Sequence, residues 1–134
     1  MARKEFSFRG KSLDELHAMN REDFAKLLNT RGKRSLLRNM NKALDKKIDK
    51  VIAMKKQGKL PKPIRTHLRT TVVVPKMIGL QFAIHRGKEF EIRDIEPEML
   101  GHYLGEFILT RKRLKHGKAG IGATKSSTAI TARG

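Results

Sequence analysis

Apolar positions change their spacing twice along this chain. From residue 13 to about 52 they recur every three or four places, the repeat of one helix face. From residue 72 to 92 they alternate every second place, the repeat of a strand. Beyond Arg111 no period holds.

Ser12 precedes Leu13, and Glu15 follows three residues later, the spacing of a capping box. Leu13, Leu16 and Met19 form the apolar side of the helix it opens. Asn20 with Asp23 opens a second helix carrying Phe24, Leu27 and Leu28, which the Asn29–Gly32 stretch should stop. A longer helix is predicted from about Ser35 to Gln57, on the stripe Leu37, Met40, Leu44, Ile48, Val51 and Ile52. Gly58 suits its C-terminal cap, and Pro61 and Pro63 forbid continuation.

Val72, Val73 and Val74 read as a first strand closed by Pro75. Ile78, Leu80, Phe82 and Ile84 mark a second, and Phe90 and Ile92 a third. Arg86-Gly87 between them predicts a hairpin, because Gly87 takes a positive φ without steric cost. Phe82 and Phe90 are both expected to point into the core. Pro97 at a first-turn position predicts a short helix through Met99, Leu100, Tyr103 and Leu104. Three strands with helices on one face give an α+β fold of two layers. Residues 1–60 then form a basic helical extension, 61–110 the α+β core, and 111–134 a basic glycine-rich tail. That tail cannot bury enough apolar area to offset chain entropy, and is expected to order only on a partner.

Charge changes the picture. Thirty-one Lys and Arg against 13 Asp and Glu leave a net charge of +18, and it is blocked. Residues 1–30 are near balance at +1 and residues 70–110 stand at −2, while residues 31–69 carry +12 and residues 111–134 carry +7. A solvated surface mixes signs; blocks of one sign read as an interaction surface, here for nucleic acid or another polyanion. Cysteine is absent, so no disulfide framework or thiolate chemistry exists. No apolar run approaches the roughly 18 residues of a membrane span, and Met1–Gly10 lacks the apolar stretch of a secretory signal. A soluble intracellular chain is expected.

Catalytic patterns fail on inspection. Gly117, Gly122 and Thr124 have the spacing of a phosphate loop, but Ala123 replaces its lysine. The five histidines include no pair four apart on a helix, so a metal site is not indicated. Glu89, Glu91, Asp94, Glu96, Glu98 and Glu106 could serve a metal-dependent nuclease, but read better as solvent-facing strand residues and helix-start charges. His67, between Arg65 and Arg69, suits phosphate contact or base stacking. A DNA-compacting architectural protein would share the charge, yet no wedge residue or dimer saddle is visible.

Two segments resemble a known family. Ile64-Arg65-Thr66-His67 and Pro75-Lys76-Met77-Ile78-Gly79 are similar to the centre of the nineteenth protein of the small ribosomal subunit. The family signature resembles Gly87-Lys88, six residues, Ile95, four residues, Leu100-Gly101, two residues, Leu104-Gly105-Glu106-Phe107, two residues and Thr110, with every position filled here. Arg86 departs from it, standing where members usually carry a small polar residue. Glu98-Met99, Gly101-His102, the stretch His116–Thr124 and the long helical N-terminus resemble the archaeal and eukaryotic branch.

The resemblance implies a cytoplasmic, ribosome-bound protein of the small-subunit head. It implies binding to small-subunit ribosomal RNA and a neighbour in the thirteenth protein of that subunit. The tail is implied to extend toward the decoding region and transfer RNA. No cofactor, membrane contact or catalysis is implied. RNA contact is carried over to Arg65, His67, Arg69, Lys76, His102, Arg111, Lys112, Arg113, Lys115, His116 and Lys118, with backbone contact near Gly117, Gly120 and Gly122.

Overall fold

A computed structural model describes residues 6–38 and 41–112. The order is β1 (Ser7–Phe8), β2 (Lys11–Ser12), α1 (Leu13–Ala18), α2 (Arg21–Leu27), α3 (Thr30–Arg38), α4 (Lys42–Lys56), β3 (Ile64–Thr66), β4 (Gln81–His85) and β5 (Phe90–Asp94). Single 3₁₀ turns occupy Pro75–Met77, Pro97–Met99 and Leu104–Phe107. The class is α+β, with a small three-stranded sheet packed by helices, as the pattern implied.

The helical half differs from expectation at its caps. Ser12 does cap α1, its Oγ accepting from the Glu15 N–H at 3.4 Å. The Asn29–Gly32 stretch starts a helix instead of stopping one. Asn29 Oδ1 accepts the Gly32 N–H at 2.7 Å, and Gly32 is buried inside α3. The single helix expected over 35–57 is two. Asn41 Oδ1 accepts from the Leu44 N–H at 3.2 Å and opens α4 afresh. Asparagine side chains compete for backbone N–H groups and favour a cap over a helix interior, so the run of apolar spacing did not mean one continuous helix. The break lets Leu36 enter the core while Leu37, counted in the apolar stripe, is exposed. Met40 lies outside the described residues.

The sheet also differs in its membership. Its order is β3-β4-β5, with β3 parallel to β4 and β4 antiparallel to β5. The third strand is therefore Ile64–Thr66. The valine run pairs elsewhere, bridging Val72 to Tyr103, with the Val73 N–H on the His102 carbonyl at 2.8 Å and the Gly101 N–H on the Val73 carbonyl at 3.1 Å. Ile78 and Leu80 precede β4, both just after the Pro75–Met77 turn, so this strand is shorter than its alternation.

The hairpin forms as expected, with Gly87 at φ +110°. Its register places His85 opposite Phe90 across a loop of residues 86–89. Side chains alternate faces along a strand, so an even loop puts Phe90 on the face of His85 and not on that of Phe82. Phe82 is fully buried, whereas Phe90 is only half-buried on the opposite face and Ile92 is exposed there. The expectation that both phenylalanines enter the core holds for one of them.

One hydrophobic cluster runs through the described residues. Ile64, Phe82 and Ile84 of the inner sheet face join Leu16 and Phe24, Leu36, Leu44 and Ile48, and Val73, Leu100, Leu104 and Ile108. The basic helical extension thus shares its core with the α+β segment. The short helix expected after Pro97 is instead two 3₁₀ turns parted at Gly101, which has φ +78°. A Cβ there would stand 2.9 Å from Leu28 Cδ2 and 3.3 Å from the Phe8 ring, so side chains and not another backbone crowd this glycine. Backbone approach occurs at Gly105, where a Cβ would lie 3.1 Å from the Arg69 carbonyl oxygen.

Candidate nucleic-acid interface

Fourteen Lys and Arg side chains fall between residues 31 and 69, and none of them forms an ion pair among the described residues. The two acids of this segment do not relieve them. Asp45 is taken by Arg21 of α2, at 3.0 Å, and Asp49 pairs with nothing described. Along α4 the apolar positions Leu44 and Ile48 face the core, which leaves Lys42, Lys46, Lys47, Lys50, Lys55 and Lys56 exposed. Lys55 is tied down, its Nζ on the Gly79 carbonyl at 2.8 Å. The rest present charge to solvent. By contrast, both arginines of the hairpin are matched: Arg86 lies 3.3 Å from Glu91 and 3.7 Å from Glu89, and Arg93 3.5 Å from Glu91. These pairs give Arg86 its partners at the position where the family usually carries a small polar residue.

The residues anticipated to touch RNA occupy several distinct places. Arg65, on the outer sheet face, stands over the Phe90 ring at 5.6 Å. His67 is exposed, with its ring 4.3 Å from His85 and edge-on to Phe90 at 5.0 Å. Arg69 is turned inward. Its guanidinium donates to the carbonyls of His85 at 2.8 Å, Gly105 at 2.7 Å and Ile108 at 2.6 Å. Lys76 is exposed on the Pro75–Met77 turn, beside a small cleft shared with Arg21 and Asp45.

His102 is exposed, its Nδ1 2.7 Å from Glu106 Oε2. Glu106 Oε1 also accepts the Tyr103 N–H at 3.1 Å. Partial burial pushes the Glu106 carboxyl up, but the hydrogen bonds from His102 and Tyr103 and the nearby charges of His102 and Arg31 outweigh it, and the group is held below the usual carboxylate range. Arg111 and Lys112 are exposed at the end of the described chain. Arg113, Lys115, His116 and Lys118 lie outside the described residues.

The fold thus gathers Arg65 and His67 with His85 and with Phe90, which the sequence pattern assigns to the core. The parity of the hairpin loop was the available signal. No group of three His, Asp or Glu side chains among the described residues is placed to hold a metal ion, and no helix among them is long and apolar enough to cross a membrane.

Comparison with known proteins agrees with the motifs. The family model described as ribosomal protein S19 matches residues 33–116. The small ribosomal subunit protein uS19 of Halorubrum lacusprofundi is 47% identical over 92% of this chain and 88% of its own length. That of Saccharolobus solfataricus is 44% identical, and that of Metallosphaera sedula 43%, each over 98% of this chain and 94% of its own. With a fold of the expected class and similarity along nearly its whole length, the chain belongs to the ribosomal protein S19 family, whose members are structural constituents of the small ribosomal subunit and not enzymes.

Proposed function

We propose that this protein sits in the head of the small subunit and binds small-subunit ribosomal RNA through two basic arms, residues 31–69 and 111–134. The core contributes little net charge, at −2 over residues 70–110. It acts as a folded plug while the arms neutralise phosphate. The observation that carries this reading is the run of fourteen cations without a carboxylate partner among the described residues. A charge of +12 within 39 residues is self-repulsive unless an external polyanion neutralises it. Phosphate contacts supply a large share of affinity in such proteins.

The tail extends toward the decoding region and transfer RNA, and the thirteenth protein of the subunit is its neighbour. These placements rest on the resemblance of His116–Thr124 and of the family signature. They imply a cytoplasmic, ribosome-bound protein. Arg65, His67, Lys76, His102, Arg111 and Lys112 remain candidates for RNA contact, as do Arg113, Lys115, His116 and Lys118. Arg69 has only its remaining N–H groups to offer.

Crosslinking the full chain to RNA in cells, followed by sequencing of the attached fragments, tests the reading. Fragments from the head of small-subunit ribosomal RNA are expected. Crosslinks scattered over messenger RNA, or a predominance of DNA, would overturn it.

A further inference from the structure

The outer face of the sheet carries a surface that phosphate neutralisation alone does not account for. A groove of about 910 Å³ runs between the second half of α4, the segment 59–65 and the β4–β5 hairpin. Lys47, Lys50, Lys59, Lys62 and Arg65 line it, and no acidic residue does. None of these five makes an ion pair or hydrogen bond through its side chain among the described residues. The floor is apolar and partly open, with Ile92 56% exposed and Leu60 100% exposed at the edge. At one end the groove meets three rings. Phe90 belongs to its lining, and His67 and His85 each stand edge-on to Phe90 at 5.0 Å. His85 backs His67 at 4.3 Å, and His67 remains exposed.

We propose that His67, backed by His85 and Phe90, is a stacking seat for an unpaired RNA base, and that the lysine-rimmed groove beside it carries the phosphates of the same strand. The proposal rests on the RNA-binding reading above and adds to it a second contact mode, base stacking where the first arm crosses the sheet. A single strand satisfies both halves of the surface, since each nucleotide brings one phosphate for the rim and one π face for the rings. Arg65, already over the Phe90 ring at 5.6 Å, lies where a guanidinium can face either the base or its phosphate. The chain's own tail does not suit the groove, because residues 111–134 hold seven basic side chains and no acidic one. An acidic protein segment could match the rim but has no use for the rings.

The test uses the full chain with two short single-stranded adenosine oligomers of equal length, one complete and one with abasic positions. Wild type is expected to prefer the complete oligomer, and His67→Ala to cut that preference by roughly 5- to 150-fold. Phe90→Leu keeps apolar volume and is expected to act in the same direction, whereas His67→Phe retains the preference because a neutral ring stacks as well. Lys47→Ala with Lys50→Ala should weaken both oligomers alike, with a salt slope shallower by roughly 0.7 for each lost contact. An unchanged preference in both His67→Ala and Phe90→Leu, with native circular dichroism, overturns the seat. So does displacement of both oligomers by a Glu- and Leu-rich peptide from wild type but not from the double lysine variant, which would give this face to a protein partner. The ribosomal placement fails separately, through the cellular crosslinks, and the base preference of His67 is read without reference to it.

Discussion

Arg69 shows how one side chain can leave a binding role for a structural one. Its guanidinium caps three carbonyls from β4 and from the Leu104–Phe107 turn and its end, and no carboxylate among the described residues attends it. Gly105 packs directly on it, its N–H on the Arg69 carbonyl at 2.9 Å. Replacing Arg69 with Met keeps the aliphatic stem but strands three acceptors, and should destabilise the protein by about 2–4 kcal/mol in denaturant unfolding. Arg69→Lys should recover little, since a compact ammonium cannot reach three carbonyls at once. Glu106 offers a pH-dependent counterpart. Its carboxyl is held below the usual range in the fold, so it binds fewer protons folded than unfolded at mildly acidic pH. The stability it contributes is therefore present above the ordinary glutamate value of about 4.3, and is lost as pH falls through the lower folded value. Glu106→Gln should flatten that part of the stability-against-pH curve, and thermal unfolding between neutral and strongly acidic pH measures it.

Among the elements, α4 depends most on a single cap. Asn41 satisfies the Leu44 N–H and separates α3 from α4. Asn41→Ala should cost about 1 kcal/mol of stability, and Asn41→Asp should cost almost nothing, because either side-chain oxygen can accept the bond. The hairpin is governed by parity. With four residues between His85 and Phe90, Phe90 and Ile92 must lie on the sheet face away from Phe82 and Ile84. Inserting one residue in the 86–89 segment while keeping a four-residue loop would slip β5 by one place and turn its side chains over, presenting Glu89 where Phe90 now lies. Such a variant is expected to lose the Phe90 contacts with His67 and His85, visible as shifted histidine ring signals in solution.

At the scale of the whole molecule, charge and core have different geographies. The apolar cluster takes residues from Leu16 to Ile108, so the basic helices are anchored in the same core as the sheet. The charge is concentrated in residues 31–69 and 111–134. Removing residues 117–134 deletes Lys118, Lys125 and Arg133. If each meets one phosphate, the slope of log affinity against log salt should become shallower by about two to three units, from roughly 0.9 per contact on duplex and 0.7 on single strands. The deletion leaves the described apolar cluster from Leu16 to Ile108 whole, so the thermal midpoint should stay unchanged. Titration of ribosomal RNA at several salt concentrations gives the first quantity and calorimetry the second.

Local signals carried far in this chain. Ser12 and Glu15 at capping spacing, the glycine of the 86–89 turn, the period of the helical half and the blocked charge act over a few residues or in bulk, and each could be read in the linear order. The family motifs could be read the same way. What could not be read was set by partners distant in the chain. Ile64–Thr66 becomes a strand because β4 lies beside it, and Val72 pairs with Tyr103 rather than entering the sheet. Arg69 turns inward because the carbonyls of Gly105 and Ile108, almost forty residues away, need donors. His67, His85 and Phe90 form one cluster only once strand pairing and loop parity have put them on one face. Such contacts follow from which groups become neighbours in a closed core, and the order of residues along the chain does not specify that.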